Sequence, residues 1–406
     1  MRRLLLSLFL LLAACSPSRV ASPSAGEGSA TLAPSATAAR PNLTTTPVRP
    51  PSTSTPLPPL VLSPGDWARG PEEAPVTLVI YSDFQSPDSH ALAPLLAELE
   101  QNHPHDLRIV YRQFPLIDAY DKASLAAQAA EAAGAQGAFW AMHDLLYSRW
   151  DEWVSLSPEA FQTWLIQAAA ALGLDVDAFR DDLEGGRYAG LAQEAFQRGT
   201  EAGIPGVPFI YINGDLFQLS PTLLSLEAAV RLELLERRQY DGYPPFTLDL
   251  DGTYLAHLEL NVGEVVIQLF PDSAPMAVNS FVFLAQQGWY NGNPVYEVVP
   301  GTLIETGDPS GTGVGGPGYS LPEEIDPTLH FDQPGMVGLS SLGPGAGGSR
   351  FFIALAPLPY LDGTRTIFGR IIQGLEVLQS LAARDALADL LQPPEAFIRQ
   401  VTIEGP

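Results

Sequence analysis

The chain has 406 residues, of which 46% are hydrophobic and 17% are charged. This length and composition suit two or three domains that each bury a core, and they exclude an intrinsically disordered chain. The 46 acidic residues outnumber the 21 basic ones and leave a net charge of −25, which disfavours binding to nucleic acid. With a single cysteine, Cys15, the sequence excludes an intrachain disulfide, a cysteine-rich zinc cluster and a dithiol redox centre.

The amino terminus carries the pattern of an export signal. Two arginines precede an apolar stretch from Leu4 to Leu12 that is too short to span a bilayer stably. The stretch ends in LAAC at 12–15, which resembles the lipobox of bacterial lipoproteins, although a plain secretory signal with an accidental cysteine is the alternative. We therefore expect residues 1–15 to be a lipoprotein signal peptide with Cys15 as the lipidation site. The protein would then be lipid-anchored on the extracytoplasmic side of a bacterial envelope membrane.

Residues 16–62 consist mainly of Ser, Pro, Ala and Thr and lack the periodic apolar residues that a core requires. We expect this segment to be a disordered tether between the anchor and the folded part of the chain. No other segment has the length and hydropathy of a membrane-spanning helix.

Alternating strand and helix patterns predict an α/β fold over residues 63–240. The β-branched and aromatic residues of its first segment are typical of a buried strand, and later segments repeat Ala, Leu and aromatic residues at helical spacing. Strands are expected at 76–82 and 107–114, and helices at 91–100, 122–133, 139–150, 158–172 and 191–202.

Three segments of this region resemble the thioredoxin-like family of the DsbA type, which carries a helical insertion. They are the first strand with the turn after it, QGAFW at 136–140 and GVPFIYING at 206–214. The resemblance implies a thioredoxin-like fold in which the bond between Val207 and Pro208 is cis.

At the position of the family's Cys-x-x-Cys motif, this chain has SPDS at 86–89. A serine hydroxyl cannot perform thiol–disulfide exchange, so we expect no disulfide oxidoreductase activity. Ser86 or Ser89 suits a helix cap, and nucleophilic catalysis by Ser86 would need His90 and a third, orienting residue. We interpret Ser86, Ser89 and Pro208 as a degenerate redox motif, kept for packing or for binding extended peptide. His143, in an aromatic helical stretch, is interpreted as an interior histidine.

After a turn-rich joint at 240–245, many short strands separated by Gly and Pro turns predict an antiparallel barrel with few helices over residues 246–406. A helix is expected to start at Pro275. Strands are expected at 255–260 and 265–270, joined by a hairpin turn at 261–264, and at 303–306, 335–339, 351–354 and 367–371.

Five segments of this region resemble cyclophilin-type peptidyl-prolyl isomerases, in the same order and at the same spacing. They are LFPDSAPMAVNSF at 269–281, GWYNG at 288–292, GGPGY at 315–319, GSRFFI at 348–353 and LDGTRTIFG at 361–369. The resemblance implies an antiparallel β-barrel of cyclophilin type and a partner that contains proline, such as a segment of an unfolded or exported protein. It implies no cofactor, and the six scattered histidines lack the spacing of metal ligands.

The resemblance also implies a groove for the proline ring. Its apolar wall falls on Leu339, Phe352, Tyr360 and Leu361, and Arg365 stands at the rim where the family has a histidine.

The polar wall departs from the family. The catalytic arginine falls on Glu297, and two glutamines of the family fall on Glu305 and Arg350. An ionised carboxylate offers no hydrogen-bond donor, whereas an arginine does. The catalytic positions therefore carry residues of different chemistry.

Three hypotheses follow for this wall. Arg350 replaces the missing donor while Glu297 and Glu305 orient it, or Arg350 pairs with Glu297 and leaves a weak or inactive peptide-binding groove, or the pocket is an inert scaffold. The function expected from the sequence is a cyclophilin-type isomerase of weak activity that assists the folding of exported proteins. The alternative is a non-catalytic proline-peptide-binding adaptor or chaperone-like lipoprotein with two pseudo-enzyme domains.

Overall fold

The structure is a computed structural model that describes residues 66–341, 343 and 347–406. Cys15, the expected signal peptide and the expected tether lie outside the described residues. Within the described part of the chain, no helix has the length and apolar character needed to cross a membrane.

The amino-terminal domain alternates strands and helices. Its strands are β1 (Trp67–Arg69), β2 (Val76–Ser82), β3 (Leu107–Gln113), β4 (Phe209–Ile212) and β5 (Asp215–Leu216). Its helices are α1 (Pro87–Asn102), α2 (Ala123–Gly134), α3 (Phe139–Ser148), α4 (Trp150–Trp153), α5 (Pro158–Ala171), α6 (Val176–Glu184), α7 (Ala189–Glu201) and α8 (Leu223–Glu236).

The five strands form one sheet in the order β1-β3-β2-β4-β5. β2 and β3 are parallel, and the other pairs are antiparallel. Helices α1 and α8 cover one face through a cluster that contains Leu92, Leu99 and Val230, while α2, α3, α5 and α6 build a separate helical core. The predicted α/β thioredoxin-like fold with a helical insertion is confirmed.

One prediction of local structure needs correction. Helix α1 begins at Pro87 rather than at residue 91, because Ser86 caps it and proline suits the first helical position. Strand β4 (Phe209–Ile212) follows directly on Pro208 and pairs with β2 (Val76–Ser82).

The carboxy-terminal domain is built mainly from strands. They are β6 (Leu255–Leu260), β7 (Gly263–Leu269), β8 (Glu297–Val299), β9 (Leu303–Thr306), β10 (Met336–Ser341), β11 (Gly347–Ala354), β12 (Ile367–Gln373) and β13 (Ile398–Glu404). The helices of this domain are α9 (Pro275–Gln286), α10 (Leu375–Gln379) and a 3-10 turn at Pro359–Leu361.

These strands form one antiparallel sheet in the order β13-β6-β7-β12-β10-β11-β9-β8. The sheet curls, and an isolated bridge between Pro294 and Phe397 links the segments that lead into β8 and β13. Helix α9 buries Val278 and Phe281 against the inner face, where the Phe281 ring lies 5.6 Å from that of Phe351. The predicted antiparallel fold of cyclophilin type is confirmed.

The joint between the domains is packed. Leu235, in the last turn of α8, is buried in the core of the carboxy-terminal domain. The ring of Tyr240 lies 5.2 Å from that of Phe283, and Tyr243 donates to the carbonyl of Met276 at 3.0 Å. The last turn of α8 therefore belongs to the cores of both domains.

Candidate active site

The serines of the amino-terminal domain are used inside the fold. Ser86 is the N-cap of α1, and its hydroxyl accepts a hydrogen bond from the Ser89 amide at 3.4 Å. The hydroxyl of Ser89 in turn accepts from the Asp83 amide at 3.5 Å. Both residues are only 2% exposed. The hydrogen bond from the Ser89 amide confirms the capping role expected for Ser86. The bond between Val207 and Pro208 is cis, as the resemblance implied.

Asp83 lies beneath this motif as a buried carboxyl group. It accepts backbone hydrogen bonds from Gln85 and Leu116, each at 2.7 Å. Burial raises the pKa of Asp83 to about 6, even though these backbone donors act to lower it. The carboxyl group is therefore enclosed between the turn that precedes α1 and the segment that follows β3.

The two histidines near this motif are held by packing. The ring of His143 lies 4.8 Å from Tyr111 and 5.0 Å from Tyr147, and its Nδ1 is 2.8 Å from Asp144 Oδ1. Burial lowers the pKa of His143, which fits the interpretation as an interior histidine. The ring of His90 stacks on a tryptophan at 4.7 Å, and no hydrogen bond joins it to the capping serine in the described part of the chain.

An apolar cluster lies on the outer face of the carboxy-terminal sheet. Along β11, alternate side chains point to opposite faces, so Phe351 enters the core and Phe352 enters this cluster. The ring of Phe352 lies 5.2 Å from that of Phe331. Gly338 stands opposite Phe352, where an added Cβ would come within 2.6 Å of the ring, so only glycine leaves room for it.

The open edge of this cluster is formed by the 3-10 turn. Leu361 packs against the cluster, as does Leu303 of β9, and both are only partly buried. Tyr360 projects from the same turn and is 67% exposed. We call the surface formed by Phe352, Leu361, Leu303 and Tyr360 the groove.

Leu339 does not belong to the groove, which corrects the prediction. It stands opposite Phe351 in the register of β10 and β11, and it is buried in the core. Ser340, the next residue, faces the other way and donates to Glu305 Oε2 at 2.8 Å. The period of two along a strand, counted from Gly338, could have shown that Ser340 rather than Leu339 lies on the groove face.

The polar wall forms a row across three strands. Glu297 of β8 stands opposite Glu305 of β9, and Glu305 stands opposite Phe352 of β11. Opposite residues in a ladder share a face, so both glutamates lie beside the apolar cluster. Glu305 Oε2 also accepts from the Tyr296 hydroxyl at 3.1 Å, a second contact that the sequence did not indicate.

Glu297 is tied to the segment that follows α10. Its Oε2 accepts from the Ala386 amide at 2.9 Å. Burial raises the pKa of Glu297, and the negative charges of Asp385, Glu305 and Asp389 raise it further. Glu297 therefore acts as an acceptor.

Arg350 approaches the row from β11, two residues before Phe352 and on the same face. It is 6% exposed, and its Nη1 donates to the carbonyl of Gly313. The described residues include no ion pair between Arg350 and Glu297, which corrects the hypothesis that the two form a pair. At the rim, Arg365 donates to Ser341 Oγ at 2.9 Å.

Comparison with known proteins identifies both domains. Residues 255–403 match the family described as "Cyclophilin type peptidyl-prolyl cis-trans isomerase/CLD", and residues 62–231 match the family described as "Thioredoxin". Over 126 residues the chain is 39% identical to "Peptidyl-prolyl cis-trans isomerase-like 1" of Aspergillus fumigatus, which covers 30% of this chain and 78% of that protein.

Other relatives match the same part of the chain. The mouse "Peptidylprolyl isomerase domain and WD repeat-containing protein 1" is 37% identical over 130 residues, which covers 31% of this chain and only 20% of that protein. This chain thus spans about a fifth of that relative. A crystal structure of a Cryptosporidium parvum cyclophilin type peptidyl-prolyl cis-trans isomerase matches at 29% identity and a TM-score of 0.34, covering 37% of this chain and 98% of that one.

The fold and the groove define a two-domain protein in which a thioredoxin-like domain precedes a curled antiparallel sheet of cyclophilin type. The chain belongs to the cyclophilin-type peptidyl-prolyl cis-trans isomerase family. Among the described residues, no group of His, Cys, Asp or Glu is arranged to hold a metal ion.

Proposed function

We propose that this chain binds proline-containing segments of unfolded proteins in the groove and isomerises their prolyl bonds with weak activity, using Arg350 as the hydrogen-bond donor. One observation carries the proposal: Arg350 and Phe352, whose ring belongs to the apolar cluster, lie two residues apart on the same face of β11.

The chemistry requires these two features. Rotation about a prolyl bond crosses a barrier of ~18–20 kcal/mol that amide resonance sets. A catalyst needs an apolar slot that holds the proline ring and a donor that weakens the resonance in the transition state. A guanidinium group has five N–H donors, and Arg350 uses one of them for the hydrogen bond to the Gly313 carbonyl. The remaining donors supply the proposed interaction with the prolyl amide.

A non-catalytic role is the second candidate. The observation in its favour is that Glu297, which the sequence resemblance aligns with the family's arginine, accepts a hydrogen bond from the Ala386 amide through Oε2. A carboxylate in this position adds no donor to the groove. In this case the protein would be an adaptor that holds proline-containing peptide without turning it over.

We also propose a location and a set of clients. The export signal and the LAAC motif at 12–15 support a lipid anchor on Cys15, on the extracytoplasmic side of a bacterial membrane. The clients would then be exported proteins. Incorporation of labelled fatty acid into the full chain, and its loss in Cys15→Ser, tests the anchor; labelling that persists in the variant contradicts it.

A protease-coupled prolyl isomerisation assay on the full chain tests the catalytic role. We expect measurable turnover that falls at least about tenfold in Arg350→Ala, because an essential donor is lost. Arg399→Ala is the matched control, since Arg399 is a half-exposed arginine of β13, and its turnover should not change.

Two outcomes would argue against this assignment. Equal peptide binding with no turnover, in both the unmodified chain and Arg350→Ala, would support the adaptor instead. If neither turnover nor binding of a proline-containing peptide were found in the unmodified chain, the groove would have no such function.

A further inference from the structure

Residues 308–318, which we call the bridging loop, have a form held from within by Asp308. This carboxylate is fully buried and accepts from the Ser310 amide at 2.8 Å, the Thr312 hydroxyl at 3.2 Å and the Gly315 amide at 2.9 Å. Because three donors along the loop converge on one side chain, these hydrogen bonds fix the form of the loop.

One side of the bridging loop touches the polar wall of the groove. The carbonyl of Gly313 accepts from Arg350 Nη1. A Cβ built at Gly313 would lie 3.5 Å from the ring of Tyr296, whose hydroxyl donates to Glu305. The position of the bridging loop therefore determines the position of Arg350. It also supports the hydrogen bond between Tyr296 and Glu305.

The other side of the loop touches the amino-terminal domain and the joint. Gln239 donates to the carbonyl of Gly316 at 3.0 Å, and the Tyr240 amide donates to the carbonyl of Pro317 at 2.8 Å. These two backbone carbonyls fix the end of the loop against the residues that follow α8.

Helix α8 itself supplies the apolar part of this contact. Gly315 lies so close to Leu235 that an added Cβ would be 2.6 Å from Leu235 Cδ2, and Leu235 is 3% exposed. A Cβ at Gly311 would be 3.7 Å from Nη1 of Arg231, and the Nε of this arginine donates to Glu227 Oε1 at 2.7 Å. The loop is thus enclosed between α8 and the groove.

We propose that the thioredoxin-like domain is the positioning scaffold of the groove. Helix α8 and the joint hold the bridging loop, and the loop's Gly313 carbonyl holds Arg350 in place. Leu235 is accordingly a positioning residue that acts on peptide through the loop. The inference rests on the proposed function, since the groove that is positioned is the one proposed to bind proline. It assigns a role to a domain that contains no cysteine.

Two leucines that are neighbours in the chain provide a matched test. Leu235 packs against the bridging loop, whereas Leu234 packs on the core of the amino-terminal domain. In the full chain we expect Leu235→Ala to accelerate amide hydrogen exchange in residues 308–316 about tenfold, because the apolar support is lost. Leu234→Ala should leave this exchange unchanged. Leu235→Met should restore it, since methionine fills a similar volume.

Peptide binding provides the second measurement, with acetyl-Ala-Ala-Pro-Phe-amide as the probe. We expect Leu235→Ala to weaken peptide binding about fivefold. The double variant of Leu235→Ala and Arg350→Ala should bind peptide no more weakly than Arg350→Ala alone, because both substitutions act through the contact between Gly313 and Arg350. Should Leu235→Ala fail to fold, Gln239→Ala, at an exposed position, removes the contact with Gly316 and should give a smaller change in the same direction.

Several results would overturn the inference. They are unchanged exchange in the loop, faster exchange with unchanged peptide affinity, equal losses in Leu234→Ala and Leu235→Ala, or losses that add in the double variant. Hydrogen exchange needs no ligand, so a failure of the scaffold is distinguishable from a failure of the proposed function. If the unmodified chain binds no probe, the proposed function fails, and the inference about the groove fails with it.

Discussion

The two domains differ in the exposure of the residues that the sequence resemblance aligns with their families' sites. In the thioredoxin-like domain, Ser86 and Ser89 are each 2% exposed, and their hydroxyls bond to backbone amides. In the cyclophilin-type domain, Tyr360 is 67% exposed and Leu361 is partly exposed, so the edge of the groove is open. The first site is enclosed by its own fold, whereas in the second Phe352 and Arg350 are buried and the edge at Tyr360 and Leu361 is open.

The difference follows from the size and charge of the side chains. A serine hydroxyl is small, and the unpaired amides at a helix amino terminus satisfy it inside the fold. Charged groups such as Glu297 and Arg350 carry a large desolvation cost, so they need hydrogen-bond partners: Glu297 accepts from the Ala386 amide, and the buried Arg350 donates to the Gly313 carbonyl. The serines of the first site serve the fold, and Arg350 of the second is the group that we propose to interact with peptide.

Truncating the aromatic ring of the groove should have the largest effect. Phe352→Ala should lower the free energy of unfolding by about 3–5 kcal/mol and abolish peptide binding, because the ring is central to the apolar cluster. Phe351→Ala should cost similar stability but retain binding, since Phe351 faces the core. Chemical denaturation and calorimetric titration measure the two quantities, with Phe352→Leu as a milder variant. Retained binding in Phe352→Ala would show that the groove is elsewhere.

The buried carboxyl of the enclosed site should give a pH-dependent stability. The pKa of Asp83 is raised from 3.8 to about 6 in the folded state, so folding favours the protonated form. Relative to Asp83→Asn, the unmodified chain should therefore gain up to about 3 kcal/mol as the pH falls from 7 to 4. Denaturation at several pH values tests this. A difference that stays constant, or that shrinks on acidification, contradicts it.

Introducing an arginine at position 297 should sharpen the contrast between the sites. Glu297→Arg places donors beside the groove, where Asp385 and Asp389 favour a cation, and should raise turnover about 100-fold. The Ala386 amide loses its acceptor, so some stability should be lost. Glu376→Arg, at an exposed position on α10, is the control for charge. Unchanged turnover in Glu297→Arg would mean that the groove does not present prolyl bonds to this position.

The smallest effect is expected at the helix cap. Ser86→Ala should lower the free energy of unfolding by about 1 kcal/mol and leave peptide turnover unchanged, because the hydroxyl serves only α1. Ser157→Ala removes the equivalent cap of α5 and should cost a similar amount. If Ser86→Ala reduced peptide turnover and Ser157→Ala did not, the motif would have a function beyond capping.

Much of the local structure could be predicted from the sequence. The β-branched run at Val76–Ser82, the Pro275 start of α9 and the capping serine are local signals that involve residues close in the chain. Family motifs in the correct order predicted both folds. The prediction for Leu339 failed because it relied on position in a motif rather than on which face of β10 each residue occupies.

By itself, the sequence determined the order of the two domains, the family of the second, and the residue types at the polar wall. Only the tertiary structure decided what those residues contact. Glu297 binds an amide 89 residues away, and Arg350 binds a carbonyl 37 residues away. Such contacts depend on how strands, loops and α8 pack together, because hydrogen bonds and apolar packing act over a few ångströms, however far apart two residues lie in the chain.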